Sequence, residues 1–367
     1  MNKTCVQLLY LIKSALWNKH ADGDAMAGCV IPHLLKEAKK QTVLGLVLEA
    51  LNTNGLLSGC PRAKLKKMVG IAVRIEQDNE MHKVVVIKTL RCLRNNDIPV
   101  AFIKGLVVGS RYPNPNRRQC GDIDFVVSAE CFDKTLNALE SIGKVNRELI
   151  HEHHGMAFVD GIVVEPHYKV HNFQNPDVDN TMREIFTEVF PKHLISERIG
   201  GEDVPIFPYE AECVILVSHM VNHVYAEGLG LRQVIDFMMF LDKKHKVIDW
   251  QLCYQYLQRM QMERAFRVFV RICERYLGFP ASALSLTYTD KESAFADKLM
   301  DDIMQVGNFG QGKDYLGNNR VLRPIRSYLW VTQRCLKLGY LCPAEAKYWP
   351  VSKLTRYYWK LKKSKNK

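Results

Sequence analysis

The sequence predicts an α+β fold in which a centre containing a mixed sheet is flanked by helical regions at both ends of the chain. Broadly amphipathic segments fill roughly the first 96 residues, short apolar runs bounded by turn residues follow to about residue 207, and amphipathic segments then return. Of the 367 residues, 47% are apolar and 25% are charged, which is typical of globular proteins with a full-sized core.

These changes of pattern predict four regions. They are an N-terminal helical region over 1–96, an α/β core over 97–207, a helical domain over 208–305, and a glycine-rich loop followed by basic, aromatic helices over 306–367. In the first region, Asn54-Gly55 is a plausible helix end, and the long amphipathic segment from Arg62 ends near Asn95-Asn96.

The predicted core alternates strands and helices. "IPVAFIKG" is an apolar run closed by glycine and predicts a buried strand, "LVVGSRYP" predicts a short helix, and "DIDFVVS" predicts the next strand. Ser128 is well suited to cap the helix that follows. Asp160-Gly161 and Gly200-Gly201 each predict a β-hairpin.

The net charge of +12 is concentrated at the C-terminus. The last 47 residues contain twelve Lys or Arg and one acid, Glu345, so the rest of the chain is nearly neutral. A nucleic-acid-binding protein usually spreads basic residues over its docking face, so we expect no specific DNA partner. The basic, aromatic tail "YWPVSKLTRYYWKLKKSKNK" is compatible with a packed helix, with weak contact to an anionic membrane surface, or with a nucleic acid.

The eleven cysteines lack the spacing of a disulfide framework or a zinc knuckle, so we expect reduced, mostly buried thiols in a cytoplasmic protein. The N-terminal apolar segment is interrupted by Lys13 and is followed by no small-residue cleavage site, which predicts an amphipathic helix rather than a signal peptide. The sequence contains no apolar run of about 18 residues, so we expect no membrane-spanning helix.

Three carboxylates point to chemistry in the predicted core. Side chains two residues apart on a strand share a face, so Asp122 and Asp124 project together. Their negative charges repel each other, and divalent cations bound between them offset this repulsion by attracting both carboxylates. Glu165 lies in the apolar strand "IVVEPHYKV", where an isolated carboxylate is costly unless it is paired or used. A glycine turn at Lys104-Gly105 would let backbone amides approach a phosphate.

This pattern resembles the polymerase-beta-like nucleotidyltransferases, in which a strand, a glycine-containing turn and a helix precede a strand with Asp-x-Asp and a later third carboxylate. More closely, "FIKGLVVGSRYPNPNRRQCGDIDFVV" with the later "VEPHYKV" looks like a bacterial family of uncharacterised nucleotidyltransferases. The specific resemblance covers about residues 98–170. The residues that match the family pattern are Lys104, Gly105, Arg118, Gly121, Asp122, Asp124, Glu165 and His167.

The resemblance implies a mixed-sheet nucleotidyltransferase core and transfer of a nucleoside monophosphate from a nucleoside triphosphate to a hydroxyl. It assigns two Mg²⁺ ions and the catalysis to Asp122, Asp124 and Glu165. The nucleotide-binding residues that it implies are Lys104, Gly105, Arg118, Gly121 and His167. The acceptor could be a small molecule, a sugar, a protein or an RNA end.

Two local features leave alternatives open. The wider superfamily usually has Gly-Ser in its phosphate turn, and Gly109-Ser110 fits that spacing, although the apolar strand leads into Lys104-Gly105. Pro166 favours a strand edge or a bulge, which affects the direction in which Glu165 points.

The histidines are open to both structural and functional interpretation. "HEHH" (His151, His153, His154) lacks further zinc ligands at a familiar spacing, so we favour a polar strand end near the substrate cleft, with His167 on the adjacent strand. His154 is a candidate for supporting the site or for its acceptor side.

A helical segment of the third predicted region carries four more polar candidates. His219 and His223 share a helix face, and Arg232 and Asp236 have the spacing of an intrahelical ion pair. These four residues are either structural or on the acceptor side of the site.

A second class of function also fits the sequence. A non-catalytic nucleotide-binding or scaffold protein would keep the same fold without turnover, and it could associate with a membrane through the basic tail.

Overall fold

The computed structural model describes residues 1–20, 23–58, 60–150, 153–311 and 322–365, without the side chains of Leu149 and of residues 357–365. A seven-stranded sheet is flanked by helices, so the prediction of an α+β fold is confirmed. Three features singled out in the sequence lie outside the described residues or side chains: His151, most of the glycine-rich loop, and the aromatic side chains at the end of the tail.

Helices account for most of the structure. The N-terminal helices are α1 (Lys3–Trp17), α2 (Gly23–Met26), α3 (Ile31–Lys40), α4 (Leu44–Thr53) and α5 (Arg62–Asn95). Those among the strands are α6 (Gly105–Gly109), α7 (Phe132–Glu140) and α8 (Pro176–Val189). The helices after the sheet are α9 (Tyr209–Ala226), α10 (Leu231–Lys244), α11 (Trp250–Arg259), α12 (Glu263–Ile272), α13 (Asp290–Val306), α14 (Leu322–Leu338), α15 (Pro343–Ala346) and α16 (Tyr348–Lys365).

The sheet is mixed. Its strands are β1 (Ala101–Ile103), β2 (Asp122–Val126), β3 (Lys144–Val145), β4 (Ala157–Val159), β5 (Ile162–His167), β6 (Ile195–Ile199) and β7 (Glu202–Ile206), in the spatial order β3-β4-β5-β2-β1-β7-β6. Strand β2 runs parallel to β5 and antiparallel to β1, while β1 runs parallel to β7. Both predicted hairpins form, with Asp160-Gly161 and Gly200-Gly201 in the left-handed region of φ that such turns need.

The two faces of the sheet have different partners. Ile123 and Phe125 of β2 and Val164 of β5 are buried in an apolar core with residues of α5 and α7 such as Leu90 and Leu136. The residues between them on β2 and β5 project to the opposite face, because side chains alternate along a strand. That opposite face carries the carboxylates and is turned toward the helices that follow the sheet.

Helices from both ends of the chain share an apolar core. Leu8 of α1 and Leu51 of α4 belong to the same buried cluster as Phe237 of α10, Phe269 of α12 and Leu338 of α14. Burying a side chain of this kind stabilises the fold by roughly 1.5–3 kcal/mol. The N-terminal helices are thus packed on the helices that follow the sheet, and the division into four regions stays a prediction.

The cysteines agree with the sequence analysis. All eleven are free thiols, and seven of them are buried. None of the helices in the described part of the chain combines the length and apolar character needed to cross a membrane.

An ion pair between Arg267 of α12 and Glu292, near the start of α13, makes the packing of these two helices depend on pH. Glu292 accepts hydrogen bonds from Arg267 Nε at 2.7 Å and Nη2 at 2.9 Å, and it also forms a capping box with Thr289. The bonds from Arg267 and then from Thr289 outweigh the effect of burial and lower the pKa of Glu292 from 4.5 to about 2. A depressed acid pKa stabilises the fold above the unfolded-state value, and this contribution is lost as the pH falls through the folded-state value.

We therefore expect Glu292→Gln to lower the free energy of unfolding by about 1–3 kcal/mol at pH 7. The difference from the unmodified protein should shrink as the pH falls from 4.5 to about 2. Urea unfolding at several pH values measures it, with the exposed Glu184→Gln as control. A difference that is constant over this range would contradict the assignment.

Candidate active site

Two neighbouring parallel strands bring the predicted carboxylates together. In the β2–β5 ladder Asp124 lies beside Glu165, and Asp122 lies beside Val163. Strand β1 pairs with the other side of β2, with Ile103 opposite Asp124, so that the next residue of the chain, Lys104, reaches the same site. The sheet thus gathers a cation and three carboxylates from three strands.

Pro166 does not interrupt this arrangement. Residues 122–126 and 163–167 stay in register along the whole β2–β5 ladder, and β4 pairs only as far as Val164. The carbonyl of Pro166 accepts a bond from Gly155 N at 2.9 Å on the side away from β2. The missing N–H of the proline lies on that same side, toward residues 153–155, so the pairing of β5 with β2 is kept.

Asp124 is the centre of the polar contacts. Its Oδ1 lies 2.8 Å from His167 Nε2 and 3.4 Å from Lys104 Nζ. Glu165 Oε2 lies 3.9 Å from His167 Nε2 and 3.6 Å from His154 Nε2. Ligand atoms of Asp124, Glu165 and His167 lie within 4.8 Å of one another. Asp122 does not belong to this tightest group, although it faces the same cleft.

The electrostatics of the carboxylates reflect their crowding. The negative charge of Asp124, followed by burial, raises the pKa of Asp122. Burial and the charges of Asp124 and Asp122 raise the pKa of Glu165 to about 8. Burial alone would raise the pKa of Asp124, but Lys104 and His167 outweigh it and hold that pKa well below its usual value. The site therefore stores charge repulsion that a bound cation would relieve.

The glycine turn at the end of β1 has an unusual backbone. Lys104 adopts a φ of 52° and Gly105 a φ of 39°. A Cβ atom at Gly105 would lie 3.3 Å from the Asp122 carbonyl oxygen, so a larger residue would be both strained and crowded. Both residues line the cleft, whereas Gly109 packs against the Arg118 side chain at the end of α6. The cleft is therefore reached by the Lys104-Gly105 turn.

The opposite wall of the cleft is helical and rich in histidine. His219 and His223 of α9 have their Nε2 atoms 3.2 Å apart, and the ring of His171 stacks on His219 with centroids 5.4 Å apart. Burial lowers the pKa of His171 and of His219 well below the usual value, so both rings are neutral. Arg232 of α10 completes this wall and donates to the Gln119 carbonyl at 3.1 Å.

Arg118 forms a buried ion pair instead of an open phosphate site. Its Nε and Nη2 each donate to Asp236 at 2.7 Å, and Tyr112 donates to the same carboxylate at 2.6 Å. The expected Arg232–Asp236 pair is thus replaced by an ion pair from a distant part of the chain. Since its Nη1 also donates to Cys120 Sγ, Arg118 belongs to the wall of the cleft. Its predicted contact with phosphate stays a prediction.

Thirteen residues that the sequence singled out for the site line this cleft of about 410 Å³. They are Lys104, Gly105, Arg118, Gly121, Asp122, Asp124, His154, Glu165, His167, His219, His223, Arg232 and Asp236.

Sequence reasoning missed further lining residues, among them His171, Asn222, Glu227 and Phe309. His171 lies in a loop and Phe309 in a short 3-10 turn, and neither belongs to a sequence motif that would have predicted it. Asn222 and Glu227 lie next to the histidine pair of α9 and were within reach of the same helix-face argument.

The chain is similar to several solved structures and to one family model. No curated protein matches the sequence. Two solved structures of the antibiotic-resistance factor ANT(2'')-Ia are similar, one in solution (11% identity, TM-score 0.36, 48% of this chain and 90% of that one) and one with adenylyl-2''-tobramycin (14%, 0.36, 49% and 98%). An antigenic nucleotidyltransferase-like protein from Paracoccidioides brasiliensis is similar at 15% identity and a TM-score of 0.31, over 57% of this chain and 96% of that one.

The family comparison covers more than half of the chain. Residues 30–278 match the family described as uncharacterised nucleotidyltransferase, a range that contains the sheet, the carboxylates and helices α9 and α10. The resemblance drawn from Lys104-Gly105, the Asp-x-Asp pair and Glu165 is therefore confirmed, and the chain belongs to the uncharacterised nucleotidyltransferase family.

Proposed function

We propose that the protein transfers a nucleoside monophosphate from a nucleoside triphosphate to a hydroxyl acceptor, with Mg²⁺ bound by its carboxylates. The observation that carries this proposal is the convergence of Asp124, Glu165 and Lys104, with Asp122, in one cleft beside the Lys104-Gly105 turn. Family membership supports nucleotidyl transfer in general. The donor, the metal and the acceptor are the proposed part.

The donor atoms suit a hard divalent cation. Asp122, Asp124 and Glu165 offer carboxylate oxygens, which Mg²⁺ prefers. The charge of Asp124 raises the pKa of Asp122, and burial together with both aspartates raises the pKa of Glu165, so additional positive charge would stabilise the group. Lys104 supplies only part of that charge, through a long 3.4 Å contact to Asp124. When bound, Mg²⁺ supplies electrophilic stabilisation of the charge that develops on the phosphate oxygens during displacement.

The protein's own residues then have separate roles. Lys104 and Arg232 line the cleft and neutralise the charge of the triphosphate, while Asp122 and Asp124 hold the cations. Glu165 completes one cation site, or it orients the acceptor hydroxyl and, held ionised by the bound cations, accepts its proton. The acceptor oxygen forms a bond to the α-phosphorus as the bond to the pyrophosphate oxygen breaks, and pyrophosphate leaves with that electron pair.

Calorimetry tests donor binding directly. We expect ATP or GTP to bind the unmodified protein only when Mg²⁺ is present. The Asp122→Asn, Asp124→Asn double variant should bind at least tenfold more weakly, because it lacks two carboxylates that hold the cation beside the phosphates. Asp133→Asn, at an exposed position of α7, is the matched control.

Two results would count against the site. One is equal binding by the double variant and the unmodified protein. The other is full binding in the presence of a chelator, which would leave the carboxylates without a metal-dependent role. Metal-dependent binding with no pyrophosphate release over a broad panel of hydroxyl acceptors would favour the non-catalytic alternative.

A further inference from the structure

Three imidazoles gather at one end of the cleft. The ring centroids of His153 and His154 lie 4.3 Å apart, and those of His154 and His167 lie 5.0 Å apart. The third pair, His153 and His167, has centroids 5.5 Å apart. A ring nitrogen from each of the three residues lies within 4.8 Å of the other two. Half-buried and buried histidine nitrogens at such distances form a ligand set of a kind different from the carboxylates.

Backbone pairing holds the three residues in place. The segment that contains His153 and His154 runs beside the end of β5, and His154 forms an antiparallel bridge with His167. Tyr168 N donates to the His153 carbonyl at 3.0 Å, and Gly155 N donates to the Pro166 carbonyl at 2.9 Å. The imidazoles therefore project from a fixed frame, as a preorganised metal site requires.

A carboxylate adjoins the histidines. Glu165 Oε2 lies 3.6 Å from His154 Nε2 and 3.9 Å from His167 Nε2. A set of three imidazoles and a carboxylate suits a borderline ion such as Zn²⁺, whereas Mg²⁺ prefers oxygen ligands alone. Ligands of a tetrahedral zinc ion lie about 3.3 Å apart, so binding requires side-chain rotations on this backbone, including that of His167, whose Nε2 lies 2.8 Å from Asp124 Oδ1.

We propose that His153, His154 and His167, together with Glu165, bind one divalent transition-metal ion of the zinc type at the edge of the cleft. The spacing along the sequence is not that of a familiar zinc motif, because the ligands come from two segments. Residues 153–154 and residues 165–167 meet where the first segment pairs with the end of β5. Glu165 belongs to both ligand sets. Occupation by zinc therefore withdraws a carboxylate from the magnesium site and inhibits transfer. That consequence rests on the proposed function, whereas the binding itself does not.

Cobalt is the probe for this site, because Zn²⁺ is spectroscopically silent. Four-coordinate Co²⁺ bound through nitrogen and oxygen gives intense visible bands, and six-coordinate Co²⁺ on oxygen ligands gives weak ones. We expect Co²⁺ titration of the full chain to give intense bands that Zn²⁺ abolishes. In the His153→Ala, His154→Ala variant the affinity for Co²⁺ should fall at least about 10–100-fold. That is the loss expected when only a group that hydrogen-bonds a metal ligand is removed, and this variant removes two ligands.

Matched variants decide between this site and its alternatives. His193→Ala, at an exposed position, and Asp122→Asn, which alters only the carboxylate set, should both keep the intense bands. In Asp122→Asn the cobalt bands report the histidine site and the transfer rate reports the proposed function. Bands that are kept while transfer is lost therefore show that the two proposals can be tested separately. Weak bands alone, equal loss in Asp122→Asn, or a near-ultraviolet thiolate-to-cobalt band from a cysteine such as Cys120 would each overturn the histidine site. Thermal unfolding of each variant checks that the fold is retained.

Discussion

Replacing Asp124 by Asn is expected to reduce nucleotidyl transfer about 10³-fold, or about 4 kcal/mol of transition-state stabilisation. Asp124 contacts both Lys104 and His167 and is the carboxylate that this environment keeps ionised. An amide of the same shape removes the charge that, in the proposed function, holds the cation, but it keeps the packing. The loss should appear in kcat as well as in KM, because the charge acts on the developing transition state.

The measurement is pyrophosphate release with a saturating triphosphate, in parallel with thermal unfolding. Asp133→Asn serves again as the matched control, because it removes an exposed carboxylate near the sheet without touching the cleft. Transfer within about threefold of the unmodified protein in a folded Asp124→Asn variant would remove Asp124 from the mechanism, since a cation ligand is worth several kcal/mol.

The local part of the site was predictable because strand geometry is periodic. Asp122 and Asp124 had to share a face with Ile123 turned into the core, and the glycine turn had to follow the apolar strand. The hairpin at Asp160-Gly161 likewise follows from two residues that tolerate a positive φ. In each case the contacts that decide the structure lie within a few residues.

The non-local part could not be read from spacing. The register that sets Asp124 beside Glu165 depends on the pairing of β2 with β5, which joins strands about 40 residues apart and skips β3 and β4. The contact between His154 and His167 is of a different kind, because it continues the register of the β4–β5 hairpin that the Asp160-Gly161 turn sets. The cost of a carboxylate in an apolar strand singled out Glu165, the resemblance to a family supplied His167, and the periodicity of the sequence supplied neither.

Arg118 shows how tertiary contacts override a local rule. The four-residue spacing of Arg232 and Asp236 favours an intrahelical pair worth a few tenths of a kcal/mol. A buried bidentate pair with Arg118 is geometrically better and neutralises the charges of both Arg118 and Asp236. Arg232 is thereby left at the cleft, where it lowers the pKa of Asp122 against the effect of Asp124.

Removal of Asp236 is expected to destabilise the fold by about 3–5 kcal/mol, because it leaves Arg118 buried without a counter-charge. Arg118 is 5% exposed, and the Asp236 charge raises its pKa against the effect of burial, so the guanidinium stays ionised. Tyr112 also loses the acceptor of its hydroxyl. The test is the free energy of unfolding of Asp236→Ala in urea, with Asp203→Ala as control, since the Arg198–Asp203 pair is exposed and should contribute about 0–1 kcal/mol.

A double variant separates the loss of a charge pair from the loss of packing. If the buried guanidinium is the cause, Arg118→Met combined with Asp236→Leu should be more stable than Asp236→Ala, because neither charge then remains buried alone. A loss below about 1 kcal/mol in Asp236→Ala would mean that water reaches Arg118 in the folded state. Arg118 would then be solvated and free to meet an anionic ligand in the cleft, and its assignment to the wall would be wrong.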